Sequence, residues 1–419
     1  ACMATNGKAG FSPTSVALSP DGKWIYLAGY SYRNGGDYDT LHGVARMPAD
    51  GKGGIEPFLG SLKYREGFGS EPGKFKNAAS VDCDSKGRVY VADWLNDRVQ
   101  IFSPEGAFLK SVAVDKPAIV RVHRRNGEIY VFSWTVPSRL FAEQAQSNTL
   151  KIEPAVTRFR SFDDPKLLTR HALSMLPQVS FVWNKRGLPD ALLMTGEIDS
   201  WSEPPTIWIG RECRNDRELA GIHGGDGGQV TSWASAGVKV LREKDGKLEV
   251  IKDFGKETLR EAFRDKPPVN AIQKIVANPA TGKLYVGEPD SAPTGKAFCN
   301  LLEIDPNTGK TRQIELPFNP MEYAFDLDGN IYLRNTDMIA RYNFVTMREV
   351  PWDYGTERDS LGCDGGIGGR ATAVKAGLEM PAKWPVCYHQ GGIGVSPKGY
   401  VVAACAYAAQ GIGTGPRTW

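Results

Sequence analysis

One short pattern limits what this chain can fold into: a glycine turn, then Ile, Leu or Val, then Tyr. Its clearest copy is Gly87-Arg88-Val89-Tyr90-Val91, and close relatives are Gly22–Leu27 (GKWIYL), Gly127–Val131 (GEIYV), Gly282–Val286 (GKLYV) and Gly329–Leu333 (GNIYL). Asp190–Met194 and Gly399–Ala403 are looser copies. Branched and aromatic residues leaving a Gly, Asp or Asn turn describe a strand of an antiparallel hairpin. A single small sheet buries too little to stand alone, so its repetition decides the fold. Seven copies about 40 to 90 residues apart mark a β-propeller with loop insertions, whose blades cover one another's faces.

Glu71–Val112 shows the unit whole, with strands at Ala79–Asp82, Arg88–Ala92, Arg98–Phe102 and Ala107–Val112. The other blades follow from the repeat. Blade one spans Thr14–Leu62 with Tyr30–Leu41 inserted, and blade three opens at Ala118 and closes on Thr157–Phe162. Blade four starts near Ser180 and ends in the hairpin Val238–Ile251. Blades five and six span Ile272–Leu316 and Glu322–Val350, and blade seven opens with Gly391–Val395 and Tyr400–Cys405. The expected fold is all-β, one propeller domain over 1–419 with insertions at 199–236 and 352–385. Seven four-stranded blades are expected, with six the alternative, and short helices at Asp164–Leu168 and Glu257–Arg264. Blade seven lacks two strands, which predicts a fragment of a longer chain, or ring closure by strands outside this sequence.

Residues 75–106, FKNAASVDCDSKGRVYVADWLNDRVQIFSPEG, resemble an NHL repeat, with its G-x-V-Y-V-A-D core and N-D-R-V-Q hairpin. The resemblance implies a six- or seven-bladed propeller and leaves the function open. NHL-like propellers include protein- or RNA-binding modules, peptidyl-amidating lyases and, in related architecture, sugar-lactone hydrolases. The lyases hold zinc with histidines from separate blades, but their motifs match no residues here.

The net charge of +3 over 419 residues argues against a nucleic-acid partner or an anionic membrane. No apolar run reaches the roughly 18–20 residues of a membrane-spanning helix. The seven cysteines show no CxxC or zinc-finger spacing. Cys363 with Cys387 is a candidate short disulfide loop, buried free thiols are the alternative, and the odd total leaves one thiol over. The chain opens like a mature start rather than a leader peptide, and a periplasmic or extracellular location of bacterial type is expected.

Chemistry is expected where the repeat is most broken. In the blade-four insertion, Arg214 and the glycine-flanked His223 and Asp226 could approach a ligand or a divalent metal (calcium, zinc or manganese), with a surface loop the alternative. Tyr388, His389 and Gln390 enter blade seven. His389 and Tyr388 are the candidate acid–base pair, His389 with His223 the candidate metal ligands, and Gln390 a ligand contact. Strand alternation sends Tyr388 and Gln390 to one face and His389 to the other. Trp201 and Trp233, with Trp94, Trp134 and Trp208, are candidate platforms for a sugar or packing between blades. Asp82-Cys83-Asp84 and Asp326–Asn330 have a calcium-like spacing, but each sits where a turn is required. His42, His123 and His171 are dispersed.

Two functions follow. One is an extracytoplasmic scaffold that binds a protein or a glycan. The other is a metal-dependent lyase or hydrolase acting on a carbohydrate or lactone.

Overall fold

The structure is a computed structural model. It describes residues 10–11, 15–33, 37–40, 42–49, 55–62, 67–136, 152–174, 181–183, 189–191, 194–200, 202–211, 238–254, 257, 274–287, 300–317, 320, 322–334, 338–351, 378–379, 391–395, 401–405 and 417–418. The fold is all-β, a β-propeller of four-stranded antiparallel blades, six of which are complete among the described residues. The chain divides into two compact units.

The first unit holds four blades. Blade 1 is Ser15–Leu18, Trp24–Ala28, His42–Pro48 and Glu56–Ser61. Blade 2 is Ala78–Cys83, Val89–Asp93, Arg98–Phe102 and Phe108–Ala113, within a residue or two of the expected strands. Blade 3 is Pro117–Val122, Ile129–Ser133, Ala155–Phe159 and Leu167–Ala172, and blade 4 is Met194–Ile198, Thr206–Arg211, Lys239–Lys244 and Lys247–Asp253. A hairpin, Tyr30–Arg33 and Asp37–Thr40, fills the expected blade-one insertion and pairs with Gly10–Phe11.

The second unit holds blade 5 (Lys274–Ala277, Leu284–Gly287, Asn300–Ile304, Thr311–Glu315) and blade 6 (Glu322–Phe325, Asn330–Arg334, Met338–Asn343, Leu378–Glu379). It also holds a three-stranded sheet, Gly391–Val395, Val401–Cys405 and Arg417–Thr418, where a seventh blade was expected.

Four expectations are corrected. Asp164–Leu168 is not a helix: Lys166 N donates to Asp164 O at 2.7 Å, and Leu167 starts the fourth strand of blade 3. Blade 4 begins at Met194, because among the described residues Pro189–Ala191 pairs only with Phe181–Trp183. Its second strand, Thr206–Arg211, occupies the first part of the expected insertion. The fourth strand of blade 6 comes from Leu378–Glu379, inside the other expected insertion. The described helical turn at Trp94–Asn96 is 3₁₀, and of the helix expected at Glu257–Arg264 only Glu257 is described.

The repeat works through its turn and its tyrosine. Asp84 accepts from Lys86 N (2.9 Å), Arg88 N (3.0 Å), Arg88 Nε (2.5 Å) and the Tyr90 hydroxyl (2.9 Å). Asp326 repeats this with Asp328 N, Asn330 N, Asn330 Nδ2 and the Tyr332 hydroxyl, all at 2.8–2.9 Å. Gly87 and Gly329, at φ +80° and +81°, supply the left-handed step that the turn needs. Tyr26, Tyr90, Tyr130, Tyr285 and Tyr332 are all fully buried, one in each of five blades. Burial, with the acceptor carboxylate in the second case, raises the phenols of Tyr26 and Tyr332 to about 12, so they remain donors. In blade 5 the partner is Glu303, which also takes Lys283 Nζ (2.8 Å) and Arg312 Nη2 (2.9 Å). Burial opposes its charge, but Arg312, Lys283 and Tyr285 hold its carboxyl down at about 2.

The N-D-R-V-Q hairpin of blade 2 closes on Asp93, which is fully buried. Its carboxylate accepts from Lys76 N, Asn96 Nδ2 and Arg98 Nε at 2.8 Å each and from Gln100 Nε2 at 3.0 Å. Removing it strands four donors, one of them charged. Breaking one side of a buried, paired charge costs about 3–5 kcal/mol. Asp93→Ala should therefore lower unfolding stability by about 3 kcal/mol or more in a denaturant titration. A loss below about 1 kcal/mol would show that the hairpin does not depend on it.

Candidate functional site

The eight residues singled out for chemistry, Trp201, Arg214, His223, Asp226, Trp233, Tyr388, His389 and Gln390, all lie outside the described residues. So do Cys363 and Cys387. The other sequence candidates are described, and most of them serve packing and turns; Trp208 is half-buried in blade 4 and donates its Nε1 to Thr206 Oγ1 at 3.0 Å. Trp94 and Trp134 are buried in one cluster, where Trp94 Nε1 donates to Trp134 O at 2.9 Å and so links blades 2 and 3. His123 is buried in its turn, its Nδ1 facing Arg125 N and Asn126 N at 3.3 Å and its Nε2 lying 2.8 Å from Ser202 O. His171, on the outer strand of blade 3, lies 3.6 Å from Glu243 of blade 4, which also faces Arg158 at 3.5 Å. Asp84 and Asp326 hold the turns already described. Cys83 is a buried free thiol, pushed up by burial.

In the first unit, the first strands of successive blades lie side by side and form the inner wall. The fourth strands lie outermost and carry the exposed Phe108, Leu109, Leu167, Val250 and Ile251. Inner strands have backbone donors that face the next blade, and short polar side chains satisfy them. Ser15 Oγ accepts from Val81 N at 3.0 Å and touches Ser80 Oγ at 3.1 Å. Ser80 Oγ accepts from Val120 N at 3.3 Å, and Asp82 Oδ2 from Val122 N at 2.8 Å. Arg124 covers the other oxygen of Asp82 at 2.8 Å and also donates to Cys83 O. The three polar side chains are thereby buried and engaged.

Between blades 3 and 4 the ladder changes character. At the register position opposite the blade tyrosine, Asp82 in blade 2 is replaced by Arg121 in blade 3. Arg121 Nε donates to both carboxylate oxygens of Glu197 at 2.7 Å, and Nη1 donates to Val120 O at 2.9 Å. The Glu197 side chain is 57% exposed and that of Arg121 19%. Thr195, two residues along the same strand, is also exposed, whereas the alternate residues Met194, Gly196 and Ile198 are buried. Gly196 is needed there, since a Cβ would meet Phe132 at 2.8 Å. An ion pair this exposed contributes only about 0–1 kcal/mol. The pair therefore adds little to the fold while presenting donors and acceptors on an inner strand. Sequence reading missed both residues. The available signal was a lone Arg in the apolar strand Ala118-Ile119-Val120-Arg121-Val122.

No family model and no curated protein matches the sequence. Among solved structures, the chain is similar to a chain of hydrazine synthase from Kuenenia stuttgartiensis, at 14% identity and TM-score 0.43, covering 93% of this chain and 92% of that one. It is similar to Sqt1 from Saccharomyces cerevisiae at 11% identity and TM-score 0.44, covering 91% and 98%. A chain of the mitotic checkpoint complex matches at 11% identity and TM-score 0.42, covering 100% and 93%. Likeness at this level assigns neither an activity nor a partner.

His42 gives the junction of blades 1 and 2 a pH signature. It is buried in blade 1, and its Nδ1 accepts from Asn77 N, next to blade 2, at 3.3 Å. Burial lowers its pKa to about 4, so the folded state favours the neutral ring. Its contribution is complete above the unfolded value near 6.5 and is lost as pH falls toward 4. Stability should fall over that window by at most about 3 kcal/mol, and His42→Gln should flatten the fall. Equal slopes for both proteins in urea titrations across that range would exclude His42 as the cause.

Proposed function

We propose that this chain is a protein-binding β-propeller module of the NHL type, whose partner contacts the inner strands of blades 3 and 4. The observation that carries this reading is the exposed Arg121–Glu197 pair. The other polar side chains of the inner ladder, Ser15, Ser80 and Asp82, are buried and committed to neighbouring backbone. The NHL assignment is supported by the hairpin chemistry of blade 2, where Asp93 gathers Asn96, Arg98 and Gln100 of the motif. A protein partner is favoured over a glycan because, of the described candidate platforms for a sugar ring, Trp94 and Trp134 are spent in the core and Trp208 is half-buried with its Nε1 on Thr206 Oγ1.

The test compares the immobilised wild-type chain with R121A/E197A and with K247A, a change on the exposed outer strand of blade 4. Native extract is the source of partner. The expected result is a protein retained by wild type and by K247A and depleted at least tenfold with R121A/E197A. Retention of no protein above a denatured-chain control would overturn the reading.

A further inference from the structure

The chemistry of the same pair narrows what it recognises, and this step rests on the protein-binding reading above. Arg121 is held on three sides: Nε on both Glu197 oxygens, Nη1 on Val120 O, and Nη1 again 3.5 Å from Ser80 Oγ. Its Nη2 has no partner among the described residues. Glu197 Oε1 accepts in addition from Ile198 N at 3.2 Å, which fixes the carboxylate. The result is a pre-oriented N–H donor beside a half-exposed carboxylate, with the exposed Thr195 hydroxyl two residues away.

The two charges cancel, and that decides the ligand class. A carboxylate or phosphate drawn to Arg121 Nη2 would sit beside Glu197, and an ammonium drawn to Glu197 would sit beside Arg121. Each is repelled by the other half of the pair at short range. A neutral group that both accepts and donates meets no such penalty. A main-chain amide does this: its C=O accepts from Nη2, and a nearby N–H donates to Glu197. Paired sugar hydroxyls could do the same, but Trp94 and Trp134 are buried, and Trp208, opposite Glu197 in the register, is half-buried with its Nε1 donating to Thr206 Oγ1.

We infer that Arg121 and Glu197 clamp the main chain of an uncharged, extended peptide segment of a partner, with Thr195 supplying a further hydrogen bond. Recognition of backbone by fixed polar groups gives affinity, and side chains of the segment are left to neighbouring surfaces. Because no net charge is neutralised, binding is nearly independent of salt.

The test selects a random dodecapeptide display library against the whole chain. The enriched peptides are then measured as N-acetylated, C-amidated synthetic peptides by calorimetry. Uncharged peptides should be enriched, with affinity changing less than twofold between 0.05 and 0.5 M NaCl. R121A and E197A should each weaken binding at least tenfold. The charge swap R121E/E197R restores the ion pair while exchanging donor for acceptor. It should keep the wild-type melting temperature and still lose at least tenfold in affinity. Peptides that bind the swap like wild type, or that lose more than tenfold in affinity with salt, would overturn the clamp and leave the protein-binding reading standing. So would enrichment of strongly charged peptides. Failure to enrich any peptide, with binding on a glycan array instead, would overturn both.

Discussion

The first unit depends on hydrogen bonds that run sideways between inner strands. A four-stranded blade uses its own backbone groups within the sheet, but its innermost strand still has an edge that must not be left unsatisfied. Ser15, Ser80 and Asp82 answer this by accepting from the backbone N–H of the next blade. These bonds tie blade to blade at fixed register, and burial makes each costly to lose. Larger side chains then pack outward from this seam. Val81, Cys83 and Val91 lie in the cluster shared with blade 1, and Tyr130, Phe132 and Trp134 in the cluster shared with blade 4.

Within the five blades that carry it, the turn and the tyrosine make the sheet ready for that docking. One carboxylate closes the turn, accepts the tyrosine hydroxyl and so allows a large aromatic ring to be fully buried without an orphaned polar atom. Blades 2 and 6 share this arrangement atom for atom, although they belong to different compact units. Blade 5 reaches the same end through Glu303 on the neighbouring strand. The chemistry of the motif is therefore structural, and the repeating solution is abandoned at a few inner-strand positions. Arg121 is such a position.

The first two strands of blades 1, 2, 3, 5 and 6 were legible in the sequence because each second strand carries the Gly turn and buried tyrosine. Blade 4 was legible only in its last hairpin, because Thr206-Ile207-Trp208-Ile209 has neither, and Asp190-Ala191 of the looser copy pairs with Phe181–Trp183 while Met194 opens the blade. Leu167-Leu168 read as a helix because two adjacent leucines fit either period. The Asp163–Asp164 turn before them decides for a hairpin strand. Histidines and tryptophans drew attention as reactive or stacking groups, yet His42, His123, Trp94 and Trp134 are buried for packing and backbone bonding. Arg121 and Glu197 escaped notice because a lone charge in a strand has no periodic signature. Only the cross-blade register shows that they meet.

The central claim is that the inner strands of blades 3 and 4 carry the partner surface. Hydrogen–deuterium exchange of the chain with and without its bound protein partner tests it directly. The account predicts slowed exchange concentrated in Pro117–Val122 and Met194–Ile198 on binding, with the outer strands Phe108–Ala113 and Lys247–Asp253 unchanged. Protection confined to those outer strands, with the two inner strands exchanging as before, would contradict it.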